Sequence, residues 1–341
     1  MAQRRGCLPR SAVRPGAGMH RTIGRLDAAA RIAEHRAMFR TVHRPLFVAL
    51  AVVALTTLVP AGATRATTTA CPTFPATNVW NKRVDALPVA ANSAAMISAI
   101  GVGAHLHPDF SNAGRYGIPY NNVGLSTKLT YHIHFTYASE SDNVGYPIPK
   151  SPLIEGGSDR HMILVDRERC RLYELYAARK TTSGWYAGSG ANWALRSNHL
   201  RPDGWTSADA AGLPIFPGLV RWSNVSGGVI RHALRFTAPL SCDGHIYPAR
   251  HDAGSGSCSV RPPMGLRVRL KGSVDISGYG SQARIVLQAL KTYGMILADN
   301  GSPWYVTGAP SSHWNDDVLH TLGRISGSDF EVVDTVGFVN G

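Results

Sequence analysis

The stretch Glu155-Gly-Gly-Ser-Asp159-Arg160-His161 gathers two carboxyls, a guanidinium and an imidazole around two glycines, immediately before an apolar run. Glycines let a backbone approach a ligand closely, and acid beside imidazole can transfer protons. One reading is the mouth of a cleft; the other is a loop whose Asp and Arg pair with each other. A second polar set, His232, Arg235, Arg250 and His251, lies downstream, and Asp299 closes an apolar run before the turn Asn300-Gly301-Ser302. His232 and Arg235 stand three residues apart, so a regular strand puts them on opposite faces. The expected catalytic set is Asp159, His161, Arg235, His251 and Asp299. An imidazole of ordinary pKa serves as a base, and arginine neutralises a uronate or a developing negative charge.

Trp193, Trp205 and Trp222 stand among Asn192, Asn198, Asp203 and Asp209 in a turn-rich segment. The flat apolar face of a pyranose stacks on indole while its hydroxyls need polar partners, so this composition suits a sugar-binding groove. Tryptophan is also highly buried on average, and core packing is the competing reading. Trp193, Trp205, Asp209 and His232 are the expected substrate contacts.

His105-x-His107-Pro-Asp109 has the alternate spacing with which an extended segment can hold a divalent metal. The Pro-Asp-Phe-Ser-Asn run that follows is turn chemistry and favours a surface loop. His105, His107 and Asp109 are therefore the only metal candidates kept; neither a metal nor any other cofactor is expected. A hydrolase elbow of the form G-x-S-x-G, the zinc-protease H-E-x-x-H and a phosphate-binding P-loop are all missing.

These residues must be positioned by a chain of 341 residues with 44% hydrophobic and 17% charged residues, a globular composition. Its 35 Lys+Arg against 22 Asp+Glu suggest a nucleic-acid partner until the charges are located. Ten arginines lie in residues 1–44, and Leu46 to Val59 form a 14-residue apolar stretch closed by Pro60. A basic lead followed by an apolar segment too short for the roughly 20 residues of a membrane span reads as a signal peptide. Cleavage is expected near residue 63 or 70, and a start at Met38 would leave a more usual basic lead. Residues 1–70 hold eleven of the Lys+Arg and two of the Asp+Glu, so 71–341 keeps 24 against 20, a net charge of about +4. No basic run remains there, which removes the argument for nucleic acid.

Cys7 falls in the leader, leaving Cys71, Cys170, Cys242 and Cys258, an even set suited to an oxidising compartment. Cys242 and Cys258 bracket a Gly/Ser-rich segment and are expected to pair, with Cys71–Cys170 by elimination. Lipidation of Cys71 is the alternative, though Thr68 stands where a lipobox leucine is expected.

Period-2 alternation over 129–137, a hairpin of Met162–Val165 and Leu172–Tyr176 about Asp166–Arg169, and alternating runs at 230–237 and 266–271 all predict strands. Helices are expected at Ser93–Ile100, at Ser281–Tyr293 ending on Gly294, and around Asn315–Leu322, with strands at Met295–Ala298 and Glu331–Val333. The expected fold is mainly β with peripheral helices, a β-rich α+β class. It is an antiparallel β-sandwich of jelly-roll-like character in a single domain over 71–341, or alternatively a β-barrel with the late helices packed on it.

DRHMILVDRERCRLYELY (159–176), GWTSADAAGLPIFPGLVRW (204–222), IRHALRFTAP (230–239), PPMGLRVRLK (262–271) and LKTYGMILADNGSPWYVTG (290–308) resemble segments of a family of secreted bacterial proteins of actinobacterial type. That family has no established activity, so the resemblance implies one exported globular unit and assigns no catalytic residue. Export, a β-rich plan and the Trp/Asp/Asn-rich middle point to a secreted enzyme on extracellular polysaccharide, a glycoside hydrolase or polysaccharide lyase. A non-catalytic cell-envelope or glycan-binding protein is the alternative, and a metal-dependent enzyme is third. The expected partner is an extracellular glycan or cell-wall polymer, with no nucleic acid, no membrane span after signal removal, and a monomeric state.

Overall fold

The computed structural model describes residues 70–114 and 116–338; the leader, the apolar stretch 46–59 and the alternative start at Met38 lie outside them. Contacts group Ala66–Gly341 as one unit. Its elements run in the order α1 (Ser93–Ile100), β1 (His107–Asp109), β2 (Tyr120–Val123), β3 (His134–Phe135), β4 (Met162–Asp166), β5 (Arg171–Leu175) and β6 (Arg179–Thr181). There follow β7 (Gly184–Ala187), β8 (Gly190–Ala194), α2 (Trp222–Ser226), β9 (Leu234–Ala238), β10 (Arg267–Leu270) and α3 (Ser281–Thr292). The series closes with β11 (Met295–Asn300), β12 (Tyr305–Thr307), α4 (Asp316–His320) and β13 (Phe330–Val332).

The strands form three sheets, of order β1-β12-β9-β11-β10-β13, β2-β4-β5-β8 and β3-β7-β6. The fold is thus β-rich with few helices, and no closed barrel forms among the described residues. Antiparallel pairs dominate the four-stranded sheet, while the six-stranded sheet also contains the parallel pairs β9–β11 and β1–β12. The β9–β11 pair decides where the site falls. Its two carboxyl ends open side by side, the position at which parallel strands expose loops to a ligand.

The central strands β4 and β5 of the four-stranded sheet are buried on both faces, which is why Met162–Val165 reads as a continuous apolar run rather than an alternation. Ile163, Val165, Leu172 and Trp193 join the larger core, whereas Met162, Leu164, Tyr173 and Leu175 join a smaller one. In the larger core Trp304 stacks between Phe236 and Phe330, with centroids 5.6 and 4.9 Å away. Helix α3 turns Ala283, Val286, Leu287 and Leu290 inward and stops at Gly294, whose φ is +64°. A Cβ there would lie 2.2 Å from the Val268 carbonyl oxygen, so only glycine lets β11 begin at once.

Both expected disulfides are present, Cys71–Cys170 and Cys242–Cys258, with Cα separations of 5.5 and 4.9 Å. The hairpin, the helices at 93 and 281 and the late strands also stand where the sequence predicts them. The alternation over 129–137 does not become one strand. His132 takes a φ of +62° and breaks it, so that Thr130 bridges Tyr146 while only His134–Phe135 pairs, with β7.

Candidate functional site

A pocket of about 390 Å³ opens at the carboxyl end of β11. Its walls are the turn with Tyr137 and Glu140, the adjoining residues Asp159, Tyr176 and Ser189 from three neighbouring segments, the loop 206–210, and the segment with His251 and Ala253. Asp299 and Asn300 supply the strand end. Of the expected catalytic residues, Asp159, His251 and Asp299 therefore share one concavity, and Asp209 reaches it from the loop.

Asp299 is delivered by an irregularity in β11. The register against β9 shifts between Leu297 and Asp299, a bulge that re-aims the last two residues of the strand. Its side chain is 31% exposed. Burial, and then the charge of Asp209, push its carboxyl up to about 7, against the opposing pull of Arg235 and His161. A carboxyl that still carries its proton near neutral pH can act as a general acid.

Arg235 lies beneath the pocket rather than in it. It is 4% exposed and grips Asp209 with two hydrogen bonds, Nε to Oδ2 at 3.0 Å and Nη2 to Oδ1 at 2.7 Å. Its Nη1 donates to Thr307 Oγ1 at 2.5 Å. Burial lowers its affinity for a proton, but Asp209 holds it above the ordinary guanidinium range. Asp209 borders the pocket, but its buried carboxylate is the counter-ion of Arg235 in this fork.

His161 also sits behind the wall. It is 4% exposed, with Nδ1 donating to Glu155 at 2.5 Å and Nε2 to the Ala208 carbonyl at 2.9 Å. Two acceptors need two N–H groups, so the network assigns an imidazolium. Burial lowers its pKa, but the Glu155 hydrogen bond and charge raise it further, and the net direction is up. A ring that donates from both nitrogens has no lone pair to offer as a base; it holds the Ala208 carbonyl of the pocket wall instead.

His251 is better placed. Its Nδ1 donates to the Ala210 carbonyl at 2.8 Å, which leaves Nε2 at the pocket, 3.9 Å from Glu140 Oε2. That glutamate is fixed by accepting from the Thr206 amide at 3.0 Å. The disulfide Cys242–Cys258 closes the loop that carries His251, so the covalent ring holds one wall of the site.

Other expectations need correction. His232 lies away from the pocket, with Nδ1 donating to the Ala233 carbonyl and Nε2 3.2 Å from Arg221 Nη2. Burial and then the Arg221 charge push its pKa down to about 3, so it is a neutral core residue. Trp193 is 5% exposed and Trp205 half-buried, with the Arg201 guanidinium 5.8 and 5.5 Å from their rings. Arg201 in turn pairs with Asp142 at 2.6 Å. The two indoles pack a buried cation and neither lines the pocket. His107 stacks on Tyr305 at 4.1 Å, His105 bridges Ser326 outside it, and among the described residues no three His, Cys, Asp or Glu side chains group to hold a metal.

Sequence reasoning missed Glu140, Tyr137, Tyr176 and Glu174. Glu174 carried a readable signal, since it alternates with Leu172 and Tyr176 on a face that must be buried in a two-sided strand. It is wholly buried, accepts from the Ile215 and Phe216 amides at 2.8 Å each, and burial pushes its carboxyl up to about 7. Glu140 and Tyr137 had no such signal, because tertiary folding alone brings their short turn to the pocket. No protein-family model matches the chain, and no curated protein or solved structure is significantly similar to it. Among the described residues no helix is long and apolar enough to cross a membrane, and the two disulfides fit an oxidising compartment.

Proposed function

We propose that this is an exported glycoside hydrolase whose general acid is Asp299, acting on an extracellular polysaccharide. The observation that carries this reading is a carboxyl raised to about 7 at the end of β11, in a pocket that also holds the carboxyls of Asp159 and Glu140. Glycoside hydrolysis uses two carboxyl groups of different proton affinity, one to protonate the leaving oxygen and one to activate water or attack the anomeric carbon. Glu140 is the second group we favour, since the Thr206 amide fixes it and His251 Nε2 stands 3.9 Å away. Tyr137, 49% exposed, and Tyr176 offer ring faces to a sugar in place of the tryptophans.

Hydrolysis is favoured over lyase chemistry by the electrostatics of the lining. A lyase must neutralise the uronate carboxylate, whereas among the described residues no arginine lines this pocket, and Arg235 lies buried beneath the wall, turned to Asp209 and Thr307. Export rests on the basic and apolar leader, which lies outside the described residues, together with the disulfides. Purified protein incubated with a panel of neutral and acidic polysaccharides is expected to release reducing ends without unsaturated products. Unsaturated products would replace this reading by a lyase, and no product from any polymer would overturn it.

A further inference from the structure

We infer that the opposite end of the β9–β11 pair carries a second binding site, a cationic groove that takes an anionic polysaccharide and anchors the protein to it. This goes beyond the pocket and does not depend on its chemistry. The groove, of about 910 Å³, lies between α3, the residues leading into β9, and the loop 272–277. Arg231 precedes β9 by three residues and Tyr293 precedes β11 by two, so the groove flanks the amino ends of the two strands whose carboxyl ends hold Asp299. Six residues of β11 at about 3.3 Å each separate the two sites by about 20 Å.

Its charge is one-sided. Arg83, Arg231, Arg284 and Lys291 line it against the single carboxylate of Asp275. Asp275 is already engaged, accepting from Ser277 N at 2.9 Å and from Ser277 Oγ at 3.0 Å. Lys291 donates to the Gly272 and Val274 carbonyls, which ties the loop to α3 and fixes the rim before any ligand arrives. Arg83 pairs with Asp85. The exposed side chains of Arg231 and Arg284 make no hydrogen bond or ion pair with any described residue, and both border the same groove. Two unpaired guanidinium groups on a pretied rim suit carboxylate or sulfate groups repeated along a chain, because each offers a planar two-donor fork.

The rest of the lining decides which polyanion. Ser281, Gln288 and Thr292 provide hydroxyl and amide groups for sugar hydroxyls, while Tyr293 is the only aromatic ring. Nucleic acid is held by longer cationic tracks and by several stacking rings, which this groove lacks. An anionic polysaccharide needs only alternating charge and hydroxyl contacts, and those are present.

The test is retention of the full protein on immobilised polygalacturonate and dextran sulfate, with neutral dextran and single-stranded DNA as comparators, at low and high salt. The expected result is retention on at least one anionic glycan, salt-sensitive and weakened roughly tenfold in Arg231→Gln/Arg284→Gln. Both residues are exposed and make no side-chain pairing among the described residues, so that variant is expected to melt with the wild type. Asp299→Asn is expected to be retained like the wild type, which separates the groove from the pocket. Equal retention on neutral dextran, retention unchanged in the double variant, tighter binding of DNA than of either glycan, or no retention at all would overturn the inference.

Discussion

The Arg235 guanidinium stands 3.9 Å from the Asp299 carboxylate, near enough to act on its charge and too far to hydrogen-bond it. Nε and one N–H of Nη2 are held by Asp209 and Nη1 by Thr307, which orients the guanidinium toward Asp209 rather than Asp299. Burial first and then the charge of Asp209 favour the protonated form of Asp299, with partial compensation from Arg235, His161 and the Asn300 amide, which donates to its Oδ1 at 2.7 Å. The buried ion pair thus adjusts a proton affinity that burial raises first.

It follows that Asp209→Asn should change chemistry without touching substrate. Loss of the Asp209 charge removes a term that raises Asp299 and frees Arg235 to approach it, so the Asp299 carboxyl falls by about 1–3 pH units. A general acid works only while protonated, so the alkaline limb of kcat/KM, near pH 7 in the wild type, is expected to move down by that amount. A limb that stays in place would separate Asp299 from the acid role. Arg235→Met, in contrast, strands a buried carboxylate and should cost about 3–5 kcal/mol of stability in denaturant unfolding.

The buried acid Glu174 makes a prediction about stability rather than turnover. Its folded value, about 7, lies above the unfolded one of 4.5, so the folded state binds the extra proton. That stabilisation is fully present below pH 4.5 and is lost as pH rises through 7, amounting to at most about 3 kcal/mol. His232, depressed to about 3, works in the opposite sense and is lost as pH falls. Comparing wild type with Glu174→Gln isolates the first effect: the difference in Tm should grow from pH 5 to pH 8 in favour of the variant. A constant difference across that range would contradict it.

Trp193→Ala and Tyr176→Ala should behave in opposite ways. Trp193 is buried against Arg201, and its truncation is expected to cost about 3–5 kcal/mol in unfolding. Tyr176 lines the pocket and is only half-buried, so its loss should weaken glycan binding by about 1 kcal/mol, read by titration, with little change in Tm.

The loop closed by Cys242–Cys258 should be needed for the site more than for the core. Cys242→Ser/Cys258→Ser opens a ring with a separation of 16 residues and is expected to cost about 3 kcal/mol. Activity should fall further than the loss of folded protein explains, because His251 then loses its hold against Ala210 and Glu140. Activity that simply tracks the folded fraction would mean that the loop does not organise the pocket.

Much of the scaffold was legible because local rules and the tertiary fold agree. The hairpin about Asp166–Arg169, helix α3 with Gly294, and both disulfides each follow from turn chemistry, periodicity or cysteine spacing. The strand over 129–137 failed because alternation cannot reveal a left-handed residue at His132. Asp159, His251 and Asp299 sit beside turns and strand ends, where a sequence pattern can mark polar residues, and they converge on one pocket. His161 and Arg235 lie behind the pocket wall, a burial that only their tertiary partners Glu155, Ala208 and Asp209 reveal. Glu140 converges on the pocket from a turn more than 100 residues from His251 in sequence, a relation that no local pattern carries.

The most direct measurement of the central claim is the pH dependence of reducing-end release by wild type and Asp299→Asn on the polysaccharide that the panel identifies. The wild type is expected to lose kcat/KM as pH rises through about 7, and Asp299→Asn to lose turnover by about 10²–10⁴-fold while still binding the glycan. Turnover in Asp299→Asn within a few-fold of the wild type, with the same pH profile, would contradict the account.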